Sequence, residues 1–331
     1  MNEQLHFILA ITSGAIPTEF SVSRMRGREA ISELFHFEVD IAEPELGWPE
    51  DIAPGGRAEL RWVYEGQVKR TVYGMFAHVE KRVWGNGEKT AFRVHLVPRA
   101  HRLAMVKTQQ IFMEMGLEDI ARRKTKLLGL SDRDVGWNVL GEDPAREFIV
   151  QYQESDLDVS ARHAEHRGIA YYFDHEDDYD RLVFTDHNGG FFTNEALPTV
   201  AMGENAEDHN QVYELRRDEK MIPRVYVVYD YNYRTPSVNI KAQETLNPSE
   251  GGGVVEYGVH AKTGGEAQAL AKIRAEELSC RKAVYRGESG VVEIAAGLKT
   301  TMEAYDHGEA LPLLIITVEH EFDLAAEGAT G

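Results

Sequence analysis

The sequence predicts an α+β protein that is mainly β, in which two strand-rich thirds flank a smaller α+β segment. Three observations predict it. Runs alternating apolar and polar side chains dominate early and late in the chain, helical spacing is concentrated between them, and turn residues punctuate the runs. A chain of 331 residues exceeds what one core usually serves, and we expect domains over residues 1–105, 106–200 and 201–331.

In the first third, Phe35-His36-Phe37-Glu38-Val39-Asp40 alternates as a half-buried strand must, because successive side chains point to opposite faces. Residues 60–64 repeat the pattern, Glu65-Gly66 supplies a turn, and 68–76 return, with Gly74 marking a bulge or a close backbone approach. Trp84-Gly85-Asn86-Gly87 form the next turn. Phe92, Val94 and Leu96 then alternate with Arg93 and His95 until Pro98 ends the strand. Several strands at this spacing suggest an antiparallel barrel or a tightly curled sheet.

From Gln109 the character changes. Leu117, Ile120, Ala121, Lys124 and Leu128 have helical spacing, with Gly129 where a helix would end in a left-handed conformation. A polar loop through Glu142, Asp143 and Pro144 precedes a strand over 148–152. Ser155 is a good N-cap for a helix whose first turn holds Asp156 and Asp158, where the helix dipole favours negative charge; Gly168 closes that helix. Strands over 169–173 and 181–185 then flank the acidic turn 174–180 as a hairpin.

The last third returns mainly to strands. A Val- and Tyr-rich strand is expected over 224–233, and a loop from Asn247 through Gly251-Gly252-Gly253. One helix follows, with Ala267, Leu270, Ala271, Ala275 and Leu278 on one face. Strands are expected over 285–294 and 313–322, and the run 311–318 is apolar enough to be buried on both sides, as at a subunit interface.

Composition excludes several classes of function. With 43% apolar and 27% charged residues the chain is ordered and soluble in expectation, and no stretch approaches the roughly 20 apolar residues of a membrane span. Residues 1–16 carry a short apolar run, but Glu3 replaces a basic start, so we expect no secretory signal and assembly in the cytoplasm. The lone Cys280 makes no internal disulfide or zinc site, and no cofactor is expected. A net charge of −19, from 36 basic against 55 acidic residues, repels nucleic acid and anionic lipid, so nucleic acid is not expected as the primary ligand. That charge either keeps a large surface soluble or lines an acidic channel.

Catalytic signatures are absent. Gly287-Glu288-Ser289-Gly290 is one residue too short for a nucleophile elbow and precedes a strand, where the elbow needs a helix. His163 and His166 lie in a polar run and read as a solvated helix face. The acidic turn has Tyr179 where a calcium loop needs Gly and Thr185 where it needs Glu, so it reads as a charged hairpin tip. Glu319, Glu321 and Asp323 lie near His320, but a strand would put Glu319 and Glu321 on one face and His320 on the other, which suggests an exposed polar edge. No catalytic, cofactor or metal residue is therefore assigned.

The segment Phe148-Ile149-Val150-Gln151-Tyr152-Gln153-Glu154-Ser155-Asp156-Leu157-Asp158, followed by Gly168-Ile169-Ala170-Tyr171-Tyr172-Phe173, resembles the best-known stretch of the VgrG-type spike proteins of contractile injection machines. In that family a Gln-Tyr-x-Glu-Ser strand leads into a Ser-Asp-x-Asp helix, an aromatic Gly-Ile-x-Tyr-Phe strand and an acidic turn. Phe35-His36-Phe37-Glu38 is similar to the family's early strand, Tyr73-Gly74 to its His-Gly hairpin, and the helix over 266–283 with Gly287 and Gly297-Leu298 to its late helix and strand. Val159, Ser160, His163 and Ala164 depart from the family's Phe, Val and Leu, which makes that helix less apolar.

The resemblance implies that Phe35, Phe37, Gly74, Gln151, Tyr152, Glu154, Ser155, Asp156, Asp158, Gly168, Ile169, Tyr172 and Phe173 are structural motif residues. It also implies a hub with two related antiparallel β-barrels per chain around an α+β domain. Three chains would form a pseudo-sixfold ring that meets an Hcp-like or tail-tube hexamer, baseplate proteins and effectors, and is expelled with the apparatus. A family member would continue past the point where this chain stops, at Gly331, into an OB-fold and a β-helical spike, so the spike is expected to be missing or to be a separate polypeptide. A type VI secretion system, a contractile phage tail and an extracellular injection particle all remain open as the machine. From other classes, so do an enzyme built on the hub and an effector-carrying binding module.

Overall fold

The computed structural model describes residues 5–12, 18–42, 53–84, 89–176, 178–195, 197–203, 211–248, 251–306 and 308–324. In chain order the early strands are β1 (His6–Ile11), β2 (Thr18–Ser21), β3 (Arg24–Ala30), β4 (His36–Ala42), β5 (Arg57–Tyr64), β6 (Gln67–Trp84) and β7 (Lys89–Val97). The middle holds α1 (Arg102–Met105), β8 (Lys107–Met115), α2 (Leu117–Leu127), β9 (Val135–Asn138), β10 (Arg146–Ser155), α3 (Asp156–His166), β11 (Ala170–Asp174), β12 (Arg181–Thr185), β13 (Phe192–Thr193) and β14 (Thr199–Met202). Then come β15 (Gln211–Glu219), β16 (Val225–Asp230), β17 (Ile240–Thr245), β18 (Gly253–Tyr257), α4 (Gly264–Ser279), β19 (Ala283–Ser289), β20 (Leu298–Asp306), β21 (Glu309–Leu314) and β22 (Thr317–Asp323). The protein is thus α+β and mainly β. Its described residues divide into two compact units, one within 1–161, 170–201 and 291–331, the other within 162–169 and 202–290.

In the first unit, alternation builds an eight-stranded antiparallel sheet in the order β2-β1-β5-β6-β7-β4-β3-β22. Leu9, Phe37, Val39, Leu60, Val72, Val94 and Leu96 turn inward and are fully buried. Phe7 of β1 packs on Phe322 of β22, with ring centroids 4.4 Å apart, and Trp62 of β5 lies 5.7 Å from the His320 ring. Strands far apart in hydrogen-bonding order therefore meet through their side chains, so the sheet curls tightly around its core. Gly74 marks a close approach: a Cβ there would lie 2.5 Å from the Val97 carbonyl oxygen. The ladder irregularities fall elsewhere, at Trp62/Val63 and Phe76/His78. The expected turn at 85–87 lies outside the described residues.

The middle of this unit is a two-stranded antiparallel ribbon, β8 with β10, packed on α2 and α3 through Phe112, Ile149, Ile120 and Val159. Asp143 caps α2, its carboxylate accepting from the Leu117 and Glu118 N–H groups at 2.9 and 2.8 Å. β11 and β12 form the expected hairpin, and β9 adds in parallel to β12. Of its acidic turn, Asp177 lies outside the described residues. β20 pairs with β13 and β14 in parallel and with β21 antiparallel.

Five expectations are corrected. The sequence predicts no strand at β8, because both of its faces carry apolar side chains and the period of two is blurred. The strand expected over 285–294 ends at Ser289, where its ladder with β15 runs out at Val212. The late helix stops at Ser279 and not at Ala283, which already opens β19. The strand expected over 313–322 is two strands: β21 pairs with β20, while β22 pairs with β3. Between them Ile315 donates to Leu298 and Ile316 accepts from Ile31, so the partner changes and the ladder must break. Within the single chain the run 311–318 is not buried on both sides; Ile316 is 47% exposed.

In the second unit β16 lies between β17, antiparallel, and β18, parallel. α4 covers one face, where Ala267, Leu270 and Ala271 meet Tyr226, Val228, Ile240 and Ala242. Thr263 caps α4 by accepting from the Glu266 N–H at 3.1 Å. No helix among the described residues is long and apolar enough to cross a membrane.

Candidate functional site

The motif from Gln151 to Asp158 ties the ribbon to both helices. At the start of α3 the Ser155 hydroxyl accepts from the Asp158 N–H, and the Asp158 carboxylate accepts from the Ser155 N–H, each at 3.0 Å. This is a capping box with Asp in the usual Glu position, and it satisfies two backbone donors at once. The Ser155 hydroxyl and N–H hold the Asp158 carboxyl below its ordinary range.

Asp156, the next residue, turns inward. Its Oδ1 accepts from Lys124 Nζ at 2.7 Å and from Gln151 Nε2 at 2.9 Å. Gln151 Nε2 also reaches the Glu154 carbonyl at 3.1 Å, and Lys124 Nζ donates to Gln110 Oε1 at 3.0 Å while lying 5.3 Å from the Phe112 ring centroid. Lys124, Asp156 and Gln151 are essentially sealed from solvent. A buried charge must be paired and hydrogen-bonded, and here each charge has the other plus an amide. With both charges sealed and paired, the cluster offers a substrate no way in, so its chemistry is that of a lock.

The other motif residues pack in separate places. The Phe35 ring lies 6.0 Å from Phe37 and 5.2 Å from Phe173, which joins the early strand to β11. Tyr172 donates its hydroxyl to the Gly190 carbonyl at 3.0 Å. Gly168 has φ +67, and a Cβ there would lie 2.8 Å from Ile273, so the position suits glycine for both backbone and space. Ile169 is buried, Glu154 is half-buried, and Tyr152 faces outward. Of the departures in α3, Val159 and Ala164 are buried and Ser160 donates to the Asp156 carbonyl at 2.9 Å.

Sequence reasoning missed three buried charged residues. Lys124 was one of the helically spaced residues, and a lysine on an otherwise apolar face was the available signal. Arg99 is anchored between Asp134, at 2.8 Å, and Asp180, whose carboxylate accepts from its Nε and N–H. Glu29 accepts from Arg70 at 2.5 Å and contacts His320 Nε2 at 2.6 Å, while Arg70 reaches the Ile294 carbonyl at 3.0 Å and stacks over Trp62. Burial pushes the Glu29 carboxyl up, but Arg70 and His320 outweigh it and hold it well below the carboxylate range. Burial pushes His175 down to about 3, and its Nδ1 accepts from the Tyr73 N–H at 3.2 Å.

The polar edge expected at 319–323 is therefore corrected in part. Glu319 and Glu321 share an exposed face, paired with Arg28 and Arg26, but His320 points into the curled sheet, because β22 is hydrogen-bonded to β3. Ser289 donates to the Gln211 carbonyl within a strand ladder, and His163 and His166 are half-buried. Among the described residues no three His, Cys, Asp or Glu side chains are grouped to hold a metal ion.

The sequence pattern of the phage tail baseplate hub (GPD) family matches residues 28–326. The chain belongs to that family. By family it is a baseplate hub, a structural part of a phage-type tail. The hub is 27% identical to the type VI secretion system spike protein VgrG5 of Pseudomonas aeruginosa, an alignment covering 96% of this chain and 40% of that protein. It spans less than half the length of the curated relatives it matches. Its fold matches the E. coli c3393 protein, a component of the type VI secretion system, with TM-score 0.68 and 17% identity over 95% of this chain and 73% of that one. It also matches the 43 kDa tail protein of prophage MuSo2 from Shewanella oneidensis, with TM-score 0.63 and 15% identity over 97% and 94% of the two chains.

Proposed function

We propose that three copies of the hub form a pseudo-sixfold ring that adapts a hexameric inner tube to a trimeric spike. The observation that carries this reading is that one chain of the baseplate hub family supplies a curled eight-stranded sheet and a second strand-rich region after residue 190. Three copies then offer six strand-rich bodies to a sixfold tube. In this reading residues 1–105 and 201–331 build the two barrels, with β22 lent to the first, and 106–200 form the insert between them. The work is mechanical: shape matching, large obligate interfaces and transmission of force, with no bond chemistry. The ring assembles in the cytoplasm, binds baseplate proteins and leaves with the apparatus when the sheath contracts.

A second reading, a carrier of effectors, is favoured by one relative: the actin cross-linking toxin VgrG1 of Vibrio cholerae is 26% identical over 205 residues, which are 18% of its length. A hub of this kind would present cargo attached beyond the matched segment. Light scattering of the purified chain tests the ring. A mass of three chains, with a central hole in negative-stain images, is the expected result; a single-chain mass at every concentration overturns it.

A further inference from the structure

The β8–β10 ladder pairs Met113 with Phe148, Ile111 with Val150 and Gln109 with Tyr152. Their neighbours Phe112, Ile149 and Gln151 turn to the buried side, so Ile111, Met113, Phe148, Val150 and Tyr152 share the face away from α2 and α3. They are 61%, 62%, 60%, 43% and 66% exposed. Single exposed apolar side chains are ordinary on a protein surface, but a contiguous group of five is not. At these exposures they offer on the order of 600 Å², the upper end for the largest patch on a monomer and most of the ~800 Å² that one partner gives a standard interface.

The face is also bounded by built geometry. Glu114 and Gln153, near its two ends, are non-glycine residues in the left-handed region, with φ 51 and 52, and the ladder bulges between Tyr152 and Glu154. Such conformations persist where the surroundings impose them. None of the five side chains is charged, which is the composition of an interface centre and not of its rim.

We propose that a second copy of this chain covers the ribbon face, which makes it part of the contact between neighbouring protomers. The proposal rests on the ring reading: in a closed ring each protomer buries one surface against the next, and this face has the area and the composition for it. The test uses the full chain, with Ile111→Asp and Val150→Asp made separately and a photo-cross-linking residue placed at Tyr152 in a third variant. The expected result is that both Asp variants keep the wild-type circular dichroism but fall from a three-chain to a one-chain mass, and that illumination of the third gives a hub–hub adduct. Asp variants that keep the three-chain mass, with no hub–hub adduct, overturn the ribbon contact and leave the ring standing. A wild-type chain that is monomeric at every concentration overturns both. An adduct formed only with added tube protein assigns the face to the tube instead.

Discussion

The lock around Lys124 and the seam where β22 meets β3 both join sequence-distant segments through opposite charges, yet they place those charges in different solvents. In the lock the Lys124 and Asp156 side chains are 2% and 3% exposed. On the outer side of the seam, Arg26–Glu321 and Arg28–Glu319 pair at 2.9 Å each but stand 45–76% exposed. On the inner side of the same strands, Glu29, Arg70 and His320 are nearly as buried as the lock. The same pairing thus determines structure where water cannot replace a lost partner, and only decorates it where water can.

The largest effect that should separate the two regions comes from Lys124→Met. It strands the Asp156 carboxylate in the interior, and denaturant unfolding should show a loss of about 3–5 kcal/mol. Lys124→Met combined with Asp156→Leu should recover much of that loss, since no uncompensated charge remains. A single variant as stable as the wild type would mean that solvent reaches the lock, and the contrast with the outer seam would disappear.

Acid should act next, through the inner seam. Glu29 has a folded pKa below its unfolded value of about 4.3, so its contribution is fully present above that pH and is lost as pH falls through the folded value. His175 titrates at about 3 in the fold against about 6.5 unfolded, so between those values the unfolded chain binds more protons. Stability should therefore fall as pH drops from 6.5, by up to about 1.4 kcal/mol per pH unit from His175 alone. His175→Asn, which keeps an acceptor for the Tyr73 N–H, should flatten the slope between pH 4.5 and 6.5. An unchanged slope would locate the acid sensitivity elsewhere.

The cap of α3 was legible in the sequence because both halves of it, Ser155 and Asp158, lie three residues apart. Its other anchor was not, because Lys124 is on another helix and nothing local says that a lysine on an apolar face will meet Asp156. β8 was hidden for a related reason: Ile111 and Met113 face out while Phe112 faces in, so no alternation announces the strand. Periodicity runs β22 on from β21 because it is blind to a change of partner, and the partners of β22 in β3 lie 291 and 295 positions away. Of the motif, Ser155, Asp156, Asp158 and Gly168 are legible as the two ends of a helix, while the other residues are singled out by the family resemblance. The role of Gln151, fully buried in a strand that looks amphipathic, emerged only from its bond to Asp156.

A smaller effect tests the local half of the lock. Ser155→Ala removes the acceptor for the Asp158 N–H at the first turn of α3 and should cost about 1 kcal/mol by thermal or denaturant unfolding. The Asp158 carboxyl, no longer held by the hydroxyl, should move back toward its ordinary pKa. A loss as large as that of Lys124→Met would show that the cap and the buried pair act as one unit.

The smallest effect belongs to the outer seam. Glu321→Gln removes one carboxylate from a pair in which both side chains are more than half exposed, and water and Arg26 can rearrange without leaving a buried charge. The loss should stay within about 0.5 kcal/mol and shrink further in high salt. The backbone ladder from Thr317↔Ala30 to Asp323↔Arg24, with Phe322 packed on Phe7, should hold β22 in register without it. If the variant instead lost more than 1 kcal/mol, the outer charges would be setting the register of β22. Since a one-residue slip would turn His320 out and Glu319 or Glu321 in, the seam would then depend on its exposed face as much as on Glu29 and Arg70.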